Sequence, residues 1–315
     1  MKYGFFLGCN MPAIRPDLER AVRLTMEKLG VELVDLEGFS CCPGYGTFPA
    51  SDEMAGLAVS GRNIAIAEEK GVDLLIECGS CYSVLRHAAH GLKDEEKKAK
   101  VNELLAIDNK KVSGTATPRH LIDVLYNEVG TEKIARSIVH RLDGMEIVVQ
   151  YPCHTLWPSE MMGFDDPGKP HMLADLVEAL GAKVPKFSRE LQCCGGAGGF
   201  AARSHNEAVA FARKKFDAIK AETSAEAIVV SCITCLMWMN NVQTEFGEDY
   251  GEPLPVLDYN QLLALCMGFD PKEVASLTET PKIQTGPRDR FIQRALSMSV
   301  TGPEGGKAEQ KLVRS

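Results

Sequence analysis

Ten of the chain's eleven cysteines follow one pattern, written twice. The first copy is Cys9, Cys41-Cys42 and Cys78-Gly-Ser-Cys81; the second is Cys153, Cys193-Cys194 and Cys232-Ile-Thr-Cys235. The gaps are 31 and 35 residues in the first copy, and 39 and 37 in the second. A single cysteine, an adjacent pair and a Cys-x-x-Cys thus recur in the same order. Each copy gathers five thiols, and thiolates are the ligands that soft metals and iron–sulfur clusters require.

A tetrahedral zinc site takes four ligands, as does an ordinary [2Fe–2S] or [4Fe–4S] cluster. Five cysteines per copy are one too many. Either one of each set is a free nucleophile, or the cluster is not a cubane. Adjacent cysteines favour the second reading, because their sulfurs reach neighbouring irons, or bridge two, more easily than two corners of a cubane. Structural zinc is the competing use. A dithiol redox pair at Cys78/Cys81 or Cys232/Cys235 leaves the other cysteines unexplained. Disulfides are disfavoured because an adjacent pair such as Cys41-Cys42 cannot easily meet bridge geometry. Cys266 belongs to neither set and reads as a buried thiol in the apolar stretch Leu262–Met267.

Alternating strands and helices must position these thiols. In the first half, Lys2–Leu7 reads as a strand ending at Cys9. A helix over Pro16–Leu29 and a strand over Val31–Leu36 lead to the Cys41-Cys42 loop. A helix over Asp52–Glu69 and a strand over Val72–Glu77 deliver Cys78. The charge run Lys93–Lys100 reads as a solvated helix face. The second half repeats the plan. Strand Glu146–Tyr151 leads to Cys153, helix Leu173–Leu180 and strand Ala182–Phe187 lead to Cys193-Cys194, and helix Asn206–Ala221 and strand Ala227–Ser231 deliver Cys232. The stretches His120–Leu125 and Asn260–Leu265 also correspond. Every cysteine group therefore lies just beyond the carboxyl end of an expected strand, where open α/β sheets place their ligands. The expected fold is α/β: two pseudo-symmetric, Rossmann-like lobes, each a parallel sheet with flanking helices and a cysteine-ligated cluster at the strand carboxyl ends. The expected boundaries are 1–142 and 143–270. Residues 271–315 read as an extension that contacts a partner or is poorly ordered, with one short helix over Phe291–Met298.

At 315 residues the chain has room for two domains of roughly 150 residues. Its 45% hydrophobic content is that of an ordinary soluble globular protein. Apolar runs such as Ile147-Val148-Val149 are too short to cross a bilayer. The N-terminus has only a brief apolar stretch and no small-residue cleavage site, so it reads as a core strand. A cytoplasmic location is expected, where thiols stay reduced. The net charge of −8 argues against a nucleic-acid surface. The last 38 residues run the other way, with seven Lys/Arg against four Asp/Glu.

The motifs also resemble a known family. Phe6-Leu-Gly-Cys9-Asn-Met-Pro12-Ala-Ile-Arg15-Pro16, Cys41-Cys42-Pro43, Glu77-Cys78-Gly-Ser-Cys81 and Cys193-Cys194-Gly195-Gly196-Ala-Gly198-Gly199 are similar to the CCG cysteine-rich domain of the heterodisulfide reductase B subunits of methanogenic archaea. The likeness spans about residues 1–270. One copy reads Cys-Cys-Pro where the other reads Cys-Cys-Gly, a variation that these B subunits share. The resemblance implies two noncubane [4Fe–4S] clusters. Cys9, Cys41, Cys42, Cys78 and Cys81 would hold one, and Cys153, Cys193, Cys194, Cys232 and Cys235 the other. It implies an oxidoreductase of methanogenesis that reduces the mixed disulfide of coenzyme M and coenzyme B to two thiols, between the two clusters.

Further site residues follow from the anionic substrate halves. Gly195, Gly196, Gly198, Gly199 and Arg203 could bind an anion, although such glycines also serve simply to let backbone pass a cluster. His154 adjoins Cys153 and could protonate a leaving thiolate or hydrogen-bond a cluster sulfur. The chain has no cysteines left for further clusters and no dinucleotide fingerprint, so electrons must arrive from another polypeptide. The family supplies a cubane-cluster C subunit and a flavin-containing A subunit of heterodisulfide reductase, with a hydrogenase or formate dehydrogenase beyond them. Neither nucleic acid nor membrane is an expected partner. The alternative is an electron-transfer subunit of another complex, of the succinate, lactate or glycolate oxidation type. A zinc-stabilised docking scaffold is a third class.

Overall fold

The computed structural model describes residues 1–46, 48–275 and 285–298. These form two parallel sheets. The first sheet has β1 (Lys2–Phe6), β2 (Glu32–Asp35), β3 (Asp73–Ile76) and β4 (Pro118–His120), in the order β2-β1-β3-β4. The second has β5 (Ile147–Gln150), β6 (Ala227–Val230) and β7 (Val256–Asp258), in that order. Strands β5, β6 and β7 are buried along their whole length. That explains their continuous apolar runs, since parallel sheets are covered on both faces.

The connecting helices begin where the sequence supplies a start signal. Helix α1 (Pro16–Lys28) has proline in its first turn, where its missing N–H costs nothing. Asp52 caps α2 (Glu53–Glu69) by accepting from the Ala55 N–H at 2.9 Å. Helix α3 (Gly79–Gly91) follows Cys78 directly, and Asp94 caps α4 (Glu95–Leu105). The second lobe adds α5 (Met172–Glu178), α6 (His205–Glu222), α7 (Ile233–Val242) and α8 (Tyr259–Cys266). Shorter helical turns are left unlabelled.

Three differences from the sequence reading have physical causes. Ala182–Phe187 is not a strand; it makes one isolated parallel bridge, Lys183 with Glu146. Pro185 interrupts it, and proline cannot donate to a ladder. The segment still lies beside β5, where β2 lies beside β1. Strands β4 and β7 are extra, and each runs directly into one of the two corresponding stretches, His120–Leu125 and Asn260–Leu265, which are largely helical. Finally, part of the extension packs on the chain itself. Helix α9 (Thr285–Ser297) buries Phe291, Ile292 and Ala295 and lies against α8. Residues 276–284 and 299–315 lie outside the described residues.

The two lobes interlock. Helix α8 of the second packs on α1 of the first, and the stretch after β4 packs on α5 of the second. One continuous hydrophobic core results. At the α1–α8 contact a buried ion pair carries the join. Arg15 makes two hydrogen bonds to the Asp17 carboxylate, 2.9 and 2.7 Å, and Gln261 Nε2 donates to the same carboxylate at 2.7 Å. Both charged residues are at most 5% exposed. Removing one partner leaves the other charge buried and uncompensated. We therefore expect Asp17→Ala to cost about 3–5 kcal/mol. Denaturant unfolding of the anaerobic protein should show it, as one transition shared by both lobes.

Candidate metal centre

In the first sheet the chain leaves β1 for β2 on one side and returns to β3 on the other; in the second it passes from β5 through the Lys183 bridge before joining β6. The turn from β1 carries Cys9 and the turn from the adjacent β3 carries Cys78. The turn from β5 carries Cys153 and the turn from the adjacent β6 carries Cys232. Between β1 and β3 strand order reverses, the point where a crevice opens in a doubly wound sheet; in the second lobe the single Lys183–Glu146 bridge stands where the missing edge strand would lie. The helices α3 and α7 then start at Cys78 and Cys232, so each Cys-x-x-Cys straddles a helix N-terminus. Exposed N–H groups at that end favour thiolate over thiol. The Cys232 and Cys81 thiols, and after them the Cys81 N–H, hold Cys78 low, whereas Cys232 is pushed up.

All ten thiols are free, and they make one array. Cys42 and Cys81 lie 3.1 Å apart sulfur to sulfur, Cys153 and Cys193 lie 3.4 Å apart, and Cys194 and Cys235 lie 3.3 Å apart. Adding the neighbours within each pair, contacts run Cys9, Cys41, Cys42, Cys81, Cys78 in the first set. They run Cys153, Cys193, Cys194, Cys235, Cys232 in the second. The order is the same in both. The two sets meet at Cys78 and Cys232, whose sulfurs are 3.9 Å apart. Cys9 and Cys41 are exposed at the far end of the first set.

The array cannot ionise freely. Within each set one thiol donates and its neighbour accepts, so ionisation becomes uneven. The contacts with Cys41 and Cys81 pull Cys42 down to about 4 and push Cys41 and Cys81 up. Cys153 and Cys194 pull Cys193 down to about 2, whereas Cys194 rises to about 12 against Cys193. Packing this many thiolates together without counter-cations is unfavourable. Metal ions remove that penalty, and the donor set suits sulfur-loving ones. Among the described residues, no three His, Cys, Asp or Glu side chains surround one point as ligands of a single ion. A donor set of thiols alone is the kind that iron–sulfur clusters and zinc both take.

Lobe-to-lobe packing holds the array shut. A Cβ on Gly79 would stand 2.8 Å from Pro152 Cβ, so the first Cys-x-x-Cys turn rests directly against the approach to Cys153. The buried Glu77 carboxylate accepts from the Ile233 N–H at 3.2 Å, tying the end of β3 in one lobe to the Cys232 turn of the other. Burial and the nearby Asp258 raise the Glu77 pKa.

The other residues singled out in the sequence are placed unevenly. Gly195 and Gly196 direct their N–H groups to Cys193 Sγ and Cys194 Sγ, at 3.3 and 3.5 Å. They serve the cysteines themselves. A Cβ on Gly196 would stand 2.6 Å from Trp238, whose indole donates to the Cys194 carbonyl at 2.8 Å. Gly198 meets Gly46 of the first Cys-Cys loop, and exposed Arg203 turns back to donate to the Gly199 carbonyl at 3.4 Å. His154 is packed edge-on against Tyr45, ring centres 3.7 Å apart, and burial lowers its pKa. Cys266 is buried in α8. The sequence reading missed Tyr45, Trp238 and Lys215. Trp238 lay in view in the apolar stretch after Cys235; Tyr45 and Lys215 carried no local signal.

The fold and the thiol array define a duplicated cysteine-rich α/β protein. The cysteine-rich (CCG) domain matches residues 3–86 and 147–240, one copy in each lobe. A protein of Archaeoglobus profundus described as like the B subunit of heterodisulfide reductase is 42% identical, over 94% of this chain and 98% of its own. The B subunit of the ferredoxin/F(420)H(2)-dependent CoB-CoM heterodisulfide reductase of Methanosarcina acetivorans is 37% identical, over 87% and 91%. An 8-methylmenaquinol:fumarate reductase membrane anchor subunit of Wolinella succinogenes is 30% identical, over 87% and 94%. A hypothetical protein from Helicobacter pylori has a similar fold, with a TM-score of 0.68 and 16% identity, over 89% of this chain and 52% of that one. The chain belongs to the CCG cysteine-rich family, among the proteins related to the B subunit of heterodisulfide reductase. Among the described residues, no helix is long and apolar enough to cross a membrane.

The close approach at Gly79 gives a direct test. Gly79→Ala forces Pro152 to shift, at a cost of about 1–3 kcal/mol. Because the contact joins the two sets, iron retained after anaerobic reconstitution should fall in both, not in one.

Proposed function

We propose that this chain is the catalytic subunit of a heterodisulfide reductase, cleaving the coenzyme M–coenzyme B disulfide. The observation that carries the reading is the meeting of two five-thiol sets at Cys78 and Cys232. Disulfide cleavage needs two electrons and two protons to give two thiols, and two adjacent one-electron centres match that requirement. In this reading each set holds one noncubane [4Fe–4S] cluster. Bound clusters would supply single electrons and an electron-poor iron that stabilises a departing thiolate.

The chain's own residues have defined tasks. The ten cysteines hold the metal. Gly198, Gly199 and Arg203, at the lip of the second Cys-Cys loop, receive an anionic end of the substrate. His154, between Tyr45 and the second set, delivers a proton to a released thiolate. Partners of the C and A type, with cubane clusters and a flavin, supply the electrons. Relatives named as B subunits of heterodisulfide reductases support that assembly.

A second reading is an electron-transfer subunit that binds no disulfide. The fumarate reductase anchor subunit and a lactate utilization protein A of Bacillus velezensis, 23% identical, favour it. Turnover separates the two. The reconstituted chain, given an artificial one-electron donor, should release two thiols per disulfide and consume two electrons. Reducible clusters with no thiol release would leave electron transfer alone. Arg203→Ala should mainly raise KM, and His154→Ala should lower kcat by about 10²-fold. Wild-type kinetics in both variants, with iron intact, would remove these two residues from the account.

A further inference from the structure

The two thiol sets match in order but not in what surrounds them. Helix α2, which follows the first Cys-Cys loop, corresponds to α6, which follows the second. The eleventh residue of α2 is Asn63, and the eleventh of α6 is Lys215. Both reach back to the residue before an adjacent cysteine pair. Asn63 Oδ1 accepts from the Ser40 N–H at 2.8 Å, just ahead of Cys41. Lys215 Nζ donates to the Gln192 carbonyl at 2.7 Å, just ahead of Cys193, and to the Glu190 carbonyl at 3.0 Å and Gln150 Oε1. Lys215 is 1% exposed. All three of its acceptors are neutral oxygens. The Glu190 carboxylate is engaged with Lys186, 2.8 Å away. Burial lowers the Lys215 pKa to about 8, and what favours its charge is the nearby cysteine sulfur, of Cys194, Cys235 and Cys193.

A buried ammonium without a carboxylate partner is costly. It is tolerable beside a negatively charged metal–thiolate site. The first lobe has a neutral amide in the same place.

A second asymmetry points the same way. Gly195 donates its N–H to Cys193 Sγ, at 3.3 Å. The residue two after Cys41 is Pro43, whose nitrogen carries no hydrogen. The change from Cys-Cys-Pro to Cys-Cys-Gly therefore adds a donor to the second set that the first set's backbone cannot supply. Positive charge and N–H···S bonds both stabilise the extra electron of a reduced cluster and raise its potential.

We propose that the second set, Cys153 to Cys235, is built to hold a centre of more positive reduction potential than the first, with Lys215 and the Gly195 N–H as its positioning groups. The inference rests on the iron–sulfur reading above, but it requires no disulfide. An electron shared by the two centres then resides on the second, which is reduced as the first is reoxidised.

Redox titration of the iron- and sulfide-loaded full chain, followed by paramagnetic resonance, tests this. Two midpoints should resolve, and Cys42→Ser, which leaves the second set whole, should retain the more positive one. Lys215→Met should lower that midpoint and leave the other in place. Pro43→Gly should raise the lower midpoint alone. Equal midpoints, or a more positive first centre, would overturn the proposal. So would Lys215→Met that keeps its iron at an unchanged midpoint, or Pro43→Gly that moves nothing. Should Lys215→Met fail to fold, the midpoint order and Pro43→Gly decide. Failure to bind iron at all would instead sink the cluster reading itself.

Discussion

The structure depends on one constraint: ten thiols brought into contact cannot all carry charge unless something positive shares the space. Their uneven ionisation expresses this directly, with Cys42 and Cys193 held low while Cys41 and Cys194 are held high. Chain groups relieve only part of the repulsion. Helix N-termini at Cys78 and Cys232, N–H groups of Gly195 and Gly196, and the Lys215 ammonium all face the sulfurs or lie close behind them. Metal ions are the natural remainder. A site so rich in sulfur selects iron–sulfur chemistry or zinc over hard cations.

The fold makes the crowding possible. A parallel sheet puts the turns after its strands on one edge, and its reversal of strand order opens a crevice between two of them. Each lobe supplies one such edge. Cross-packing of α8 on α1, fixed by Arg15, Asp17 and Gln261, sets the two edges against each other. The bare backbone at Gly79 and the Glu77 carboxylate close the last gap. The two thiol sets are therefore not structurally independent. What disturbs their join reaches both sets.

Much of this was legible in the sequence because the site is a repeat. The repeat pointed to the ten thiols and to strands β1, β3, β5 and β6, whose turns carry Cys9, Cys78, Cys153 and Cys232. Apolar runs such as Ile147–Val149 read correctly as buried parallel strands, and Asp52 marked the start of α2. Local pattern failed where tertiary context decides. Ala182–Phe187 has strand composition, but Pro185 breaks its ladder. The strands at Pro118–His120 and Val256–Asp258 are too short to stand out from the helices that follow them. The glycines after Cys194 suggested anion binding, yet two of them donate to sulfur. Lys215 carries no local signal in the sequence; only the fold turns it inward.

The central claim is that each five-thiol set holds its own iron–sulfur cluster and that the two adjoin at Cys78 and Cys232. Anomalous scattering at the iron edge, from crystals grown anaerobically with the reconstituted protein, measures it most directly. Two clusters of iron, one in each set and flanking that contact, are the predicted result. Iron in one set only, or zinc bound by four of the five thiols, would contradict it.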